Sequence, residues 1–202
     1  MKHYILTRFN IVVPEWGIKT DKRWFRRRIK LFREICYPSI VGQTCQDFEW
    51  IVLFDHKTDW DLSEFPRITP LMIRENWLVE LQEYLPGLKI TTRLDSDDAL
   101  HRGAVATIQK HAQMGWNNLT YGYIRDEKGQ LWLKKDLANQ FLTLIGSETA
   151  LHLEHGSVRK LGANQIDDKP YWLHVQHGGN VITRESYYRM QRVKRSLEEF
   201  GQ

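Results

Sequence analysis

The chain has 202 residues, 42% of them hydrophobic and 12% aromatic, with a formal net charge of +4. That composition can fill a packed core and excludes a disordered chain, while no stretch approaches the roughly 20 apolar residues that span a bilayer. The two cysteines, Cys36 and Cys45, are too few for a disulfide framework or a zinc site, which suits a reducing cytosol. Eight tryptophans are many for this length. Indole joins a flat apolar body to an N–H, so some are expected to line a groove for sugars or other amphipathic ligands while most fill the core.

At the N-terminus the apolar piece of residues 4–6 meets Arg8 too soon for a signal peptide, and residues 3–9 read as a strand. Residues 21–36 read as an amphipathic helix, with Phe25, Ile29, Phe32 and Cys36 at helical spacing. Its other side carries Lys22, Arg23, Arg26, Arg27, Arg28, Lys30 and Arg33, a basic face open to solvent, to an anionic membrane surface or to an anionic substrate. Residues 48–54 form a buried strand running into Asp55. Strand, helix and strand make a right-handed βαβ unit, which places Asn10 and Asp55 at one edge of a parallel sheet.

Further on, residues 71–73 read as a short strand, 77–85 as a helix ended by Pro86-Gly87, and 88–94 as the next strand. Residues 99–113 look helical, 119–124 and 130–134 read as a hairpin around the turn at 126–129, and 171–175 as a short strand. Between them, 139–144 and 156–161 carry weak helical signals, and 185–199 a charged terminal helix.

The most informative feature is Asp95, Asp97 and Asp98, which crowd together where the strand at 88–94 stops. Like charges this close repel, whereas a hard divalent cation turns repulsion into coordination by oxygen. The cluster reads as a Mn²⁺ or Mg²⁺ site at the carboxyl end of a strand, where open α/β sheets bind ligands. Asp98 alone also suits an N-cap for the helix at 99–113.

These segments resemble the GT-A glycosyltransferases, in which a Rossmann-like half binds the nucleotide and an Asp-x-Asp motif holds the metal against a diphosphate. Asp95-Ser96-Asp97 matches that motif. A closer likeness is to the rhamnosyltransferase family of that fold, through residues 3–10, 36–39, 46–55, 94–98 and 172–180. The resemblance implies an α/β, GT-A-like domain with a mixed, mainly parallel sheet flanked by helices. That single domain would run over 1–202, with a nucleotide-binding half at 1–98 and an acceptor half at 99–202. It implies a sugar, rhamnose being one candidate, moved from a nucleotide-sugar to a glycan or lipid-linked acceptor. Such an enzyme would be cytoplasmic or peripheral at the inner face of the membrane, touching it through the basic helix at 22–33. No nucleic acid partner is expected, since the carboxylates would repel one.

For the site, the resemblance implies nucleotide contacts from Thr7, Arg8, Asn10, Asp55, Arg74, Arg93 and Asp95, although each arginine is equally readable as a surface residue. Asp95 and Asp97 would hold the metal, with His177 as a late ligand or a structural hydrogen-bonding group. His174 shares that ambiguity, and His155 is a third candidate. An inverting transfer needs a carboxylate base. Asp167 and Asp168 are the candidates, in a stretch also readable as a surface turn, with Glu154 as a rival. A Gln-x-x-Arg-Trp motif is absent, so a single transfer is expected rather than polymerisation. The alternatives are a nucleotidyltransferase of similar fold and a binding module for polyanions or membrane surfaces.

Overall fold

The computed structural model describes residues 1–11, 21–177 and 190–202. Its centre is the strand β1 (His3–Arg8), flanked in parallel by β2 (Glu49–Asp55) and β4 (Lys89–Arg93), with β3 (Ile68–Ile73) parallel outside β2. These central strands are buried on both faces, which is why β2 reads as an unbroken apolar run rather than an alternation. Pro70, which has no N–H to give, sits in the edge strand β3. The order β3-β2-β1-β4 reverses direction at β1, so the crevice between the ends of β1 and β4 is a topological switch point.

Helix α1 (Lys22–Leu31) begins where the Asp21 carboxylate accepts from the Arg23 and Trp24 amides. The helix continues through a π-turn (Phe32–Cys36) into α2 (Tyr37–Val41), so it outlasts the expected end at 36. Pro38 lies one residue into α2, and Tyr37 N–H reaches back to the Phe32 carbonyl. The wider turn accommodates the proline and keeps Phe32, Ile35, Cys36 and Ile40 inward. On the β1–β2 side, Phe9, Phe25, Phe32 and Trp60 pack ring against ring at centroid distances of 5.1–6.2 Å.

Beyond β4 the sheet turns largely antiparallel. β8 (Thr143–Gly146) pairs with β4, and β6 (Gly115–Arg125) pairs with β8, with β7 (Leu131–Lys135) through a hairpin turn at Gly129, and in parallel with the long β9 (Asn164–Val175). Gly122 lets β6 approach the Trp172 indole, which stacks on Phe141 at 5.2 Å and donates to the Leu119 carbonyl at 2.7 Å. Helices α3 (Trp77–Tyr84), capped by Asn76, and α5 (His155–Leu161) fall where expected. Among the described residues no helix is long and apolar enough to cross a membrane.

Three local expectations are overturned by pairing between distant segments. Residues 99–113 do not start as a helix, because Ala99–Leu100 form a short strand, β5, against Leu173 and Trp172 of β9, and helix α4 spans only Ala104–His111. Residues 139–144 are not helical. The Asn139 side chain bonds the Phe141 amide and the Leu119 carbonyl, competing with a helix, and Thr143 and Leu144 join the ladder of β4. At the C-terminus, residues 185–189 of the expected helix lie outside the described residues. Gln191–Val193 form β10 on the open edge of β7, and Glu198–Phe200 a short 3-10 turn. Val193 and Leu197 pack there against the same cluster as Leu133, a burial that an exposed helix would lose.

Candidate active site

The switch point gathers the ends of β1, β2 and β4. After β1, Asn10 donates to Thr58 Oγ1 at 2.8 Å and accepts from the Asp55 amide at 3.1 Å, tying the loops after β1 and β2 together. The Asp55 carboxylate accepts from the Lys57 amide. Thr7 is fully buried, and its hydroxyl accepts from the Trp50 indole N–H at 3.0 Å, so it serves the core. Arg74 follows β3 on the exposed edge, where its amide and that of Glu75 bond Glu80.

Arg8 and Arg93 are both buried beside each other, and Glu154 approaches them at 3.5 and 3.6 Å. Arg8 lies over the Trp77 ring, while Arg93 donates to the Leu153 carbonyl at 3.1 Å and leaves its buried Nε without a partner. Burial lowers the Arg8 pKa, with the half-buried Asp95 and the exposed Glu154 acting against it and Arg93 adding to it. Two guanidiniums held this close at a strand end form a concentrated positive site for oxyanions. His155 opens α5 nearby, its pKa lowered by burial and by Arg93.

Asp97 and Asp98 take different partners. Arg28 Nη1 lies 2.6 Å from Asp97 Oδ1, and His177 Nε2 lies 2.6 Å from Asp97 Oδ2. Arg28 also reaches Ser96 Oγ at 3.3 Å and lies over the Trp24 ring. Burial alone would raise the Asp97 carboxyl, but Arg28 and His177 outweigh it and hold it below the ordinary carboxylate range. Asp98 instead accepts from the Val175 amide at 2.8 Å and sits 3.1 Å from His174 Nδ1. Burial raises its pKa, His174 opposes this, and Asp97 and Asp95 reinforce it. Asp98 therefore clamps β9 to the end of β4 and caps no helix, since α4 begins only after Gly103.

Asp167 and Asp168 stand on an exposed stretch of strand β9 rather than in a loop. Asp168 accepts from the Tyr171 hydroxyl at 2.8 Å. At about 3.3 Å per strand residue, Asp168 lies roughly 20 Å along β9 from His174, so the structure does not bring this pair to Asp97. Trp77 and Arg28 join the site without having been singled out for it. The signal for Arg28 was available, because it shares a ridge of α1 with Trp24 and Leu31 at helical spacing and so belongs to a half-buried face.

The donors at this edge bear on a divalent ion. Asp97 Oδ2 and His177 Nε2 offer an oxygen and an imidazole nitrogen side by side, a pair that suits Mn²⁺. Among the described residues no group of three or more His, Cys, Asp or Glu side chains is placed to hold a metal ion, so the protein offers this pair alone. An ion here would complete its shell with water and ligand oxygens, as Mg²⁺ commonly does.

Comparisons with known proteins bear on the fold. A family model described as "Putative rhamnosyl transferase" matches residues 16–64, which include α1, α2 and β2. No curated protein matches the chain. The structure is similar to that of S. aureus TarS 1-349 in complex with UDP-GlcNAc, at a TM-score of 0.53 and 11% identity, over 89% of this chain and 60% of that one. A second S. aureus TarS structure is similar at a TM-score of 0.46 and 11% identity, over 87% of this chain and 37% of that one. The chain thus spans about three fifths of the length of its TarS 1-349 neighbour. With its parallel β3-β2-β1-β4 half, its mixed, largely antiparallel second half and this likeness, the chain has a GT-A-like fold.

Proposed function

We propose that the chain is a metal-dependent glycosyltransferase, moving a sugar from a nucleotide-sugar to a glycan or lipid-linked acceptor. The observation that carries this reading is the placement of Asp97, His177 and the Arg8–Arg93 pair around one switch point, with Asn10 and Asp55 on its rim. Asn10 and Asp55 suit the nucleoside, and Arg8 and Arg93 suit the negative charge that grows on the diphosphate as the glycosidic bond breaks. Arg28 holds Asp97 ionised and oriented, so that Oδ2 stays directed at His177. Bound between Asp97 and His177, Mn²⁺ or Mg²⁺ would act as a Lewis acid on the leaving diphosphate. The partial match to the rhamnosyl transferase model favours rhamnose as the sugar, and the ligand in the TarS 1-349 structure favours a nucleoside diphosphate carrier.

The test is a thermal-shift series with UDP, GDP and dTDP, each with and without Mn²⁺, followed by product analysis with the matching nucleotide-sugars. One nucleotide is expected to raise the melting temperature only with metal, and its sugar conjugate to release the nucleoside diphosphate. Release of pyrophosphate, or no shift with any nucleotide, would refute the reading.

A further inference from the structure

Helix α1 has two inward faces. Through Phe25 and Ile29 it packs on the β1–β2 side, against the cluster that holds Phe9 and Trp60. Through Leu31 it packs on the other side, against the cluster of Ala99, Leu173 and Val175 on β5 and β9. Above that second side lies a pocket of about 300 Å³ lined by Asp21, Arg23, Trp24, Arg27, Arg28, Leu31 and His177. The nucleotide rim of Asn10 and Asp55 belongs to the β1–β2 side. The pocket therefore meets the Asp97–His177 pair from the half of the fold opposite that rim.

The charges in the pocket are unbalanced. Asp21 is committed to capping α1 through its bonds to the Arg23 and Trp24 amides, and Arg28 is paired with Asp97. Arg23 and Arg27 have no carboxylate partner among the described residues. Asp97 and Asp98, which would otherwise repel an anion, are already met by Arg28, His177 and His174. Two planar guanidinium forks beside an indole make a site for an oxyanion carried on a sugar or polyol, with bidentate bonds to the anion and stacking for the apolar ring face.

We propose that this pocket seats an anionic group, a phosphate or carboxylate, on the acceptor. The inference rests on the transferase reading and gives its acceptor a chemical class. Arg23 and Arg27 are exposed at the pocket's mouth, so a neutral glycan would leave both guanidiniums to water, whereas a phosphate-bearing acceptor engages both and brings its neighbouring hydroxyl towards His177.

The test is calorimetric titration of the full chain with glucose 6-phosphate, with glucose as the neutral counterpart and UDP, GDP and dTDP with Mn²⁺ as donor probes. Glucose 6-phosphate is expected to bind at least about tenfold more tightly than glucose, and the double variant Arg23→Gln/Arg27→Gln to lose about tenfold. Nucleotide affinity should stay within about twofold in that variant. The double variant Lys22→Gln/Arg26→Gln, on the outer face of α1, should change neither. Equal loss in the outer-face variant would overturn the proposal in favour of diffuse surface attraction. A parallel loss of nucleotide affinity in the pocket variant would overturn it by assigning the pocket to the donor's diphosphate, and so would the absence of any preference for the phosphate. Wild-type protein that prefers glucose 6-phosphate yet binds no nucleotide would refute the transferase reading itself, and the acceptor role with it.

Discussion

Replacing Asp97 by Ala is the perturbation with the largest expected consequence outside the core. Asp97 is 5% exposed and the Arg28 side chain 13%, so their 2.6 Å contact lies in a largely dehydrated setting. Removing one partner of a buried pair leaves the other charge without compensation and costs about 3–5 kcal/mol. For a domain of this size each kcal/mol lowers the melting temperature by about 2–4 °C, so the expected fall is about 6–20 °C. Arg28→Met keeps the stem over Trp24 and should cost less, about 2–3 kcal/mol, because His177 still faces the remaining carboxylate. The double variant should be only slightly worse than Asp97→Ala, since removing both charges leaves neither stranded, which corresponds to a coupling of about 2 kcal/mol. Denaturant unfolding of the four proteins measures it. Additive losses, with coupling under about 0.5 kcal/mol, would show that Arg28 and Asp97 are not energetically paired and would undo the account of how Asp97 is held.

The remaining predictions address the ion, the core and pH. Mn²⁺ at a hundredfold excess over its dissociation constant should stabilise the native chain by about 2.7 kcal/mol, a rise of about 5–11 °C, and His177→Ala should abolish that rise; an unchanged rise would remove His177 from the site. Gly122→Ala places a methyl 1.9 Å from the Trp172 ring, which is fixed by Phe141 and by its bond to Leu119, so melting should fall by about 6–12 °C for a cost near 3 kcal/mol. A variant as stable as the parent would mean that Trp172 can leave β6. His3 is buried, which lowers its pKa from 6.5 to about 4. The unfolded chain then takes up the proton first as pH falls, so stability is full above pH 6.5 and declines towards pH 4. The decline amounts to about 3 kcal/mol. His3→Gln retains a donor for Thr92 and should flatten the decline seen between pH 7 and pH 4 in denaturant titrations; an equally steep decline would assign it to other groups.

Much of the first half of the fold is legible without coordinates. The run at 48–54, the stripe of Phe25, Ile29, Phe32 and Cys36, and the Pro86-Gly87 stop each act through neighbours a few residues away, and β2, α1, α3 and β4 lie within a few residues of their expected places. The second half is less legible. β5, β8 and β10 are two to four residues long, and each exists only because a distant strand offers it a ladder.

The same division runs through the site. That Asp95, Asp97 and Asp98 stand at a strand end follows from local pattern alone, and so does the segregation of charge along α1. Which basic side chain meets which carboxylate does not follow, because Asp97 is joined by Arg28 from α1 and by His177 from 80 positions further along the chain, while Asp98 is turned to His174 and the backbone of β9. Pattern in sequence reports the bonds a segment makes with itself. The pairing of buried charges depends on which chain segments the sheet order brings to one edge, and that is decided only when β1, β4 and β9 are assembled.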